Sequence, residues 1–227
     1  FIIMKKEIIV CLPSKGRLNP ESLNIFKKKR LKIVSEKGER DLVGYASYKN
    51  FNLKILFVHA REAIDALANS TADVAISGKD LLFNSNTNIQ NKIKIYKNLD
   101  FGHASLKIFR SIYWIDCQSL LDVSEIARNK PLKLITKYRL LVENFLAEKN
   151  VRNVEVLDSN GATEIAVRIN QASLVADISS TGKTAAANDL CELNDGLILK
   201  TSAALMVAKK SLKKKEVVKL LKLLSKS

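Results

Sequence analysis

Residues 176–189 read ADISSTGKTAAAND and hold the densest set of phosphate-binding groups in the chain. Ser179, Ser180, Thr181 and Thr184 offer four hydroxyls around Gly182 and Lys183. A glycine there permits a tight turn whose backbone N–H groups face one point, and a helix opening near Thr184 adds its positive end. Charge-assisted hydrogen bonds of this type are worth about 1.5–3 kcal/mol each, so three or four would dominate the binding of a phosphomonoester. A nucleoside-triphosphate P-loop would require glycine at position 177, where this chain has Asp177. A carboxylate would repel a triphosphate, but it accepts hydrogen bonds from a sugar diol. Phosphate beside diol implies a 5-phosphoribosyl group. The plainer alternative is a Ser/Thr cap at an ordinary helix start, which explains one hydroxyl and not the run.

Three further stretches stand at the ends of apolar runs. Lys15, Gly16 and Arg17 in LPSKGRLNP suit a polyphosphate or a base, or form a charged surface turn. Gly78 and Asp80 lie in SGKD after ADVAI. Glu164, in GATE, sits where a first helical turn favours an acid in any case.

Positioning these loops requires strands that end beneath them, and the apolar pattern supplies those strands. EIIVCL (7–12), LKILFVHA (53–60) and ADVAIS (72–77) read as strands, with helices at 20–31 and 61–70. A second series follows: helix 119–129, strand LKLIT (132–136), helix 137–150, strand VEVLD (154–158), helix 162–170 and strand LVADIS (174–179). GLILKT and ALMVA then form a late pair of strands. This alternation predicts an α/β fold with largely parallel sheets. The β-rich stretch 92–115 would carry the chain into a second lobe and the late strands would carry it back, leaving a cleft between two lobes. The expected division is 1–98 with 196–227 against 99–195. The tail KKSLKKKEVVKLLKLLSKS predicts an amphipathic helix, packed on the first lobe or docking a partner.

Composition narrows the classes. Thirty-eight Lys and Arg against 23 Asp and Glu give +15, of which +7 lies in residues 209–227. Aromatics are only 6%, so stacking platforms for single strands are scarce, and neither a nucleic-acid nor a membrane partner is expected. Three scattered cysteines and two histidines argue against a disulfide frame, a zinc site or a Ser-His triad. Lys5, Lys6 and Glu7 interrupt any leader-type apolar core, so a cytoplasmic protein is expected.

Taken in order, SKGRL (14–18), ADVAISGKDLL (72–82), LITKY (134–138), NGATE (160–164) and ADISSTGKTAAANDL (176–190) resemble the ATP phosphoribosyltransferase family, as do 99–108 and 195–208. The resemblance implies two α/β lobes with periplasmic-binding-protein-like (type II) topology and an active-site cleft. It implies transfer of phosphoribosyl from 5-phosphoribosyl diphosphate to N1 of ATP, with Mg²⁺ carried on the diphosphate and no protein metal site. By resemblance, Ser180, Thr181, Gly182, Lys183 and Thr184, with Ser179 beside them, hold the 5′-phosphate, and Asp177 sits by the ribose. Arg17 contacts ATP, with Lys15, Gly16, Gly78, Asp80 and Lys137 around it; Glu164 lies by the diphosphate substrate, and Arg40 helps the leaving pyrophosphate. The chain ends soon after its last core strand and so looks like the family's short form. That form works as homodimers in a hetero-octamer with a histidyl-tRNA-synthetase-like regulatory subunit. Two rival classes stay open: a non-catalytic two-lobed sensor that captures one small ligand, and a nucleic-acid binder driven by the charge.

Overall fold

The computed structural model describes residues 6–35, 38, 41–49, 51–159 and 161–226. In chain order, β1 (Lys6–Pro13) leads to α1 (Asn19–Lys28), then β2 (Val43–Tyr48), β3 (Phe51–Val58), α2 (Ala60–Ala68), β4 (Val74–Gly78), α3 (Lys79–Phe83), α4 (Thr87–Lys92) and β5 (Ile93–Asn98). The second set is β6 (Ala104–Ser111), α5 (Leu120–Asn129), β7 (Leu132–Thr136), α6 (Arg139–Glu148), β8 (Val154–Asp158), α7 (Ile165–Arg168), β9 (Leu174–Ser179), α8 (Lys183–Ala187) and β10 (Leu190–Thr201). The chain then forms β11 (Ala203–Ala208), a 3-10 turn at Lys209–Lys213, and α9 (Lys215–Ser225). Two compact units result: His103–Thr201 is one, and the residues up to Gly102 with those from Ser202 onward are the other.

The first unit has a six-stranded sheet in the order β2-β3-β1-β4-β11-β5. Strands β3, β1 and β4 run parallel, which sets the loops after β1 and β4 at one edge. Its core gathers Ile8, Val10, Leu12, Phe26, Leu53, Ile55 and Ile76 with Val217, Leu220, Leu221 and Leu224 of α9. The apolar side of the tail helix is therefore spent on this core and is not presented to a partner. Asp73 ties the same region together. Its carboxylate accepts from Ile9 N–H (3.0 Å), Ser211 Oγ (2.6 Å) and Lys214 Nζ (2.7 Å), so one 5%-exposed side chain joins β1 to the start of the tail.

The second unit has a five-stranded sheet, β10-β6-β9-β7-β8, in which β9, β7 and β8 are parallel. Helix α5 starts at a capping box, with Ser119 Oγ accepting from Asp122 N–H and the Asp122 carboxylate accepting from Ser119 N–H. Val123 and Ala127 of that helix join Leu134, Val142, Leu146 and Leu174 in the core.

Three expectations need correction. Both sheets are mixed, because β2, β5, β6, β10 and β11 each pair antiparallel with a neighbour. Periodicity marks a buried strand but carries no direction. The helix expected over 162–170 shrinks to the four residues of α7, closed by Asn170 at φ +57°. The late strand GLILKT is the end of β10, paired with β6 in the second unit, so the chain changes units at Thr201/Ser202 and not near 195. Sequence reading also passed over β2, α3 and α4, which are short or carry no clear period. No helix among the described residues is long and apolar enough to cross a membrane.

Candidate active site

Because β9, β7 and β8 are parallel neighbours, their carboxyl ends share one edge of the second unit's sheet. Ligand loops in α/β folds collect at such edges. Strand β7 ends at Thr136, and the exposed Lys137 follows it. Ser159, following β8, donates its N–H to Thr136 O at 2.8 Å and so ties the two loops together. Thr163 is fully buried and its hydroxyl donates to Ser159 Oγ at 3.1 Å. Glu164 follows it at the start of α7.

Strand β9 ends in Asp177, Ile178 and Ser179. Gly182 then takes φ +73°, a left-handed backbone that glycine adopts without strain, and α8 starts at Lys183. Ser179 Oγ accepts from Gly182 N–H at 2.9 Å, and Thr181 Oγ1 meets Lys183 N–H at 3.5 Å. The hydroxyls thus shape the turn from inside. Ser180, Thr181, Lys183 and Thr184 face solvent. A cavity of about 90 Å³ lies within this loop, walled by Glu164, Asp177 and Ser179–Thr184. Its floor is the buried cluster of Phe109, Val175, Ala185 and Leu190. Whole-ligand pockets measure roughly 300–1,000 Å³, so this one has the scale of a single oxyanion. Helix α8 has only five residues, so the anion-binding power lies in first-turn N–H groups and hydroxyls more than in an extended dipole.

Asp177 is half-buried, and burial pushes its carboxyl above the usual carboxylate range. The Ile178 N–H, at 2.7 Å from Oδ1, opposes that shift. The Glu164 carboxylate raises it, while Lys137 and the Thr163 hydroxyl lower it. One acid, one amine and a buried hydroxyl from the two preceding loops therefore act on the Asp177 carboxyl. Sequence reasoning named Glu164, Lys137 and Asp177 but missed Thr163 and Ser159. The signal available for those two was the hydroxyl-rich turn directly after VEVLD.

The first unit presents its own pair of loops, at the carboxyl ends of β1 and β4. Lys15, Gly16 and Arg17 are exposed, and Gly16 has φ +79°. The Arg17 guanidinium donates to Gly102 O, which anchors the turn. A Cβ at Gly102, where φ is +66°, would come 2.2 Å from Leu18 Cδ2, so the two turns interlock. Gly78 ends β4, and its missing Cβ is replaced by Asp80: a Cβ there would stand 2.5 Å from Asp80 Oδ1. Asp80 is 4% exposed and packs back onto its own strand end. Arg40 lies outside the described residues. No group of three or more His, Cys, Asp or Glu gathers among the described residues.

The sequence profile of ATP phosphoribosyltransferase matches residues 59–226. The chain belongs to the ATP phosphoribosyltransferase family. It is 29% identical over 214 residues to the ATP phosphoribosyltransferase of Nitrobacter winogradskyi, covering 92% of this chain and 66% of that relative. It is 31% identical over 211 residues to the enzyme of Brucella suis, covering 90% of this chain and 91% of the relative. It thus spans just under two thirds of the longer family member and nearly all of the shorter one. Its fold is similar to the ATP phosphoribosyl transferase (HisG:HisZ) complex from Thermotoga maritima, with TM-score 0.74, 18% identity and 96% of each chain covered. Holo arginine-binding protein from T. maritima follows at TM-score 0.55 and 15% identity, covering all of this chain and 93% of that one. The α/β architecture is therefore shared between this transferase family and an arginine-binding protein.

Proposed function

We propose that this chain transfers the 5-phosphoribosyl group of 5-phosphoribosyl diphosphate to N1 of ATP, releasing pyrophosphate in the first step of histidine biosynthesis. The observation that carries this reading is a phosphate-sized cavity walled by the loops after β8 and β9, with Glu164 and Asp177 in its lining and the charge of Lys137, after β7, acting on Asp177. The hydroxyls of Ser180, Thr181 and Thr184, with the N–H groups at Gly182–Thr184, take the 5′-phosphate. Asp177 accepts hydrogen bonds from the ribose hydroxyls, and Glu164 lies on the diphosphate side. Lys137 neutralises charge there, and in the first unit Arg17, with Lys15, Gly16, Gly78 and Asp80 around it, serves ATP.

The bond changes need no protein nucleophile. The adenine N1 lone pair attacks C1′, the bond from C1′ to the diphosphate oxygen breaks, and pyrophosphate leaves with that electron pair. Positive charge grows on the ribose ring at the transition state, and the carboxylates of Asp177 and Glu164 stabilise it. Holding N1 and C1′ in line supplies the rest. Mg²⁺, when bound, neutralises the leaving diphosphate. One or two carboxylates plus substrate phosphates are the ordinary surroundings of Mg²⁺, and the Glu164–Asp177 pair fits that donor set without a protein-built cage. Arg40 would act on the same leaving group.

We place the reaction in the cytoplasm, as homodimers joined to a regulatory subunit resembling histidyl-tRNA synthetase. The T. maritima assembly of similar fold, solved as a two-component complex, supports a two-component enzyme. A sensor of the same fold would bind one ligand and release no pyrophosphate. The test is substrate binding by calorimetry: wild type binds 5-phosphoribosyl diphosphate, and Thr181→Ala weakens it roughly 10-fold or more, the loss of one charge-assisted hydrogen bond. Equal binding by both would remove the phosphate loop from the account.

A further inference from the structure

Three strands supply the floor of the phosphate-sized cavity: Phe109 comes from β6, Val175 from β9 and Leu190 from β10. Side chains alternate along a strand, so a residue two places away lies on the same face. On each of these strands such a residue is charged: Lys107 on β6, Asp177 on β9 and Glu192 on β10. The registers agree. Strand β6 pairs Lys107 with Asp177 and Phe109 with Val175, and across its other edge it pairs Phe109 with Glu192. Lys107 thus has a carboxylate on either side, directly opposite on β9 and diagonally on β10. Its amine donates to Glu192 Oε2 at 2.6 Å.

The side chains of Lys107 and Glu192 are 26% and 46% exposed, and an ion pair in that much solvent adds little to stability. What it does fix is the place of the charge. Opposed residues of an antiparallel pair stand about 4.5–5.5 Å apart at Cα. Without Glu192 the Lys107 amine would close on Asp177 and occupy the carboxylate that ribose hydroxyls need. Held by Glu192, it leaves Asp177 open and remains a mobile cation on a flexible four-carbon stem. A substrate with its 5′-phosphate in the loop and its ribose at Asp177 brings its diphosphate to this face of the sheet. A diphosphate carries more charge than one carboxylate and offers more acceptor oxygens, so it draws the amine away from Glu192.

We propose that Lys107 is a further substrate-binding residue, whose amine moves from Glu192 to the diphosphate of the bound substrate. The inference rests on the functional reading above and adds to it a lysine and the positioning carboxylate that holds it in reserve. The experiment is calorimetry at fixed Mg²⁺ with two ligands, 5-phosphoribosyl diphosphate and ribose 5-phosphate, which lacks only the diphosphate. Lys107→Met should weaken 5-phosphoribosyl diphosphate roughly 10-fold or more, the loss of one charge-assisted contact, and leave ribose 5-phosphate at its wild-type Kd. Lys107→Arg keeps the charge and should retain most of the affinity. Glu192→Gln lets the amine close on Asp177, so it should weaken ribose 5-phosphate by roughly 2- to 5-fold, and adding Lys107→Met should restore it. Equal loss of both ligands in Lys107→Met, or loss of neither, would overturn the Lys107 contact and leave the functional reading standing. Ribose 5-phosphate binding that ignores Glu192→Gln, or a loss that Lys107→Met does not restore, would overturn the holding role of Glu192. A wild type that binds ribose 5-phosphate and not 5-phosphoribosyl diphosphate would overturn the functional reading and this proposal with it.

Discussion

Gly182 and Gly161 make a controlled pair. Both stand in loops of the candidate site, and a Cβ added to either meets nothing within 4 Å. They differ in backbone: Gly182 has φ +73°, while Gly161 is outside the left-handed region. Replacing either with alanine reduces the entropy of the unfolded chain by a similar amount. Only Gly182→Ala must also hold an L residue in the left-handed region, at about 1–2 kcal/mol. Gly182→Ala should thus be less stable than Gly161→Ala by about that amount, or roughly 2–8 °C in Tm for a chain of this size. If the turn relaxes to escape the strain, the donor bond from Gly182 N–H to Ser179 Oγ breaks and the N–H groups no longer converge. The same 1–2 kcal/mol then emerges as a roughly 5- to 30-fold weaker Kd for 5-phosphoribosyl diphosphate. Thermal melts and calorimetric titrations of both variants separate the two outcomes. Equal stability and equal affinity in both variants would refute the claim that this turn's left-handed geometry builds the phosphate site.

Other consequences are equally direct. Asp177→Asn should lower turnover by roughly 10²–10³, as loss of one preorganised electrostatic group does. The same variant should melt higher than wild type at pH 7. The Asp177 carboxyl is raised in the fold, so its ionised form costs stability as pH rises through its folded pKa, and the gain should vanish below the ordinary Asp value. A flat difference in Tm across that pH range would contradict this. Glu164→Gln removes a like charge and should move the acidic limb of kcat/KM to lower pH; a shift in the other sense would sink the assignment. Asp73→Ala strands three donors, so it should cost about 2–3 kcal/mol in a denaturant melt while substrate-phosphate binding by the second unit persists. Cys11 and Cys117 are buried, and burial pushes each thiol up to about 11, so alkylation of the folded protein at pH 8 should reach Cys191 first, as peptide mapping would show.

The parts of this fold that sequence made legible are those where one local force dominates. LKLIT and VEVLD are apolar runs between breakers, and β7 and β8 coincide with them residue for residue. The tight turn at Gly182, between β9 and α8, was legible because a glycine set among short hydroxyl residues breaks the apolar run before it. Strand direction was not, since β10 and β6 pair across some 80 residues and neither strand encodes which way the other runs. Helix α7 was overcalled because ATEIAVRIN has a helical period, yet the buried Thr163 hydroxyl ties the first turn to Ser159 and Asn170 ends it early. The packing of Asp80 was hidden too: its spacing after Gly78 does not reveal that its buried carboxylate lies against the strand end where a Cβ would stand. The field at Asp177 was equally hidden, because Lys137, Thr163 and Glu164 come from loops that only the parallel order of β9, β7 and β8 brings together.

The most direct test of the central claim is pyrophosphate release from 5-phosphoribosyl diphosphate with Mg²⁺, by the chain with its regulatory subunit, with ATP present and with ATP omitted. Mass spectrometry identifies the nucleotide. The account predicts release only when ATP is present, matched mole for mole by N1-phosphoribosyl-ATP. Binding of 5-phosphoribosyl diphosphate with no ATP-dependent release would contradict it and leave a ligand-capturing protein of the same fold.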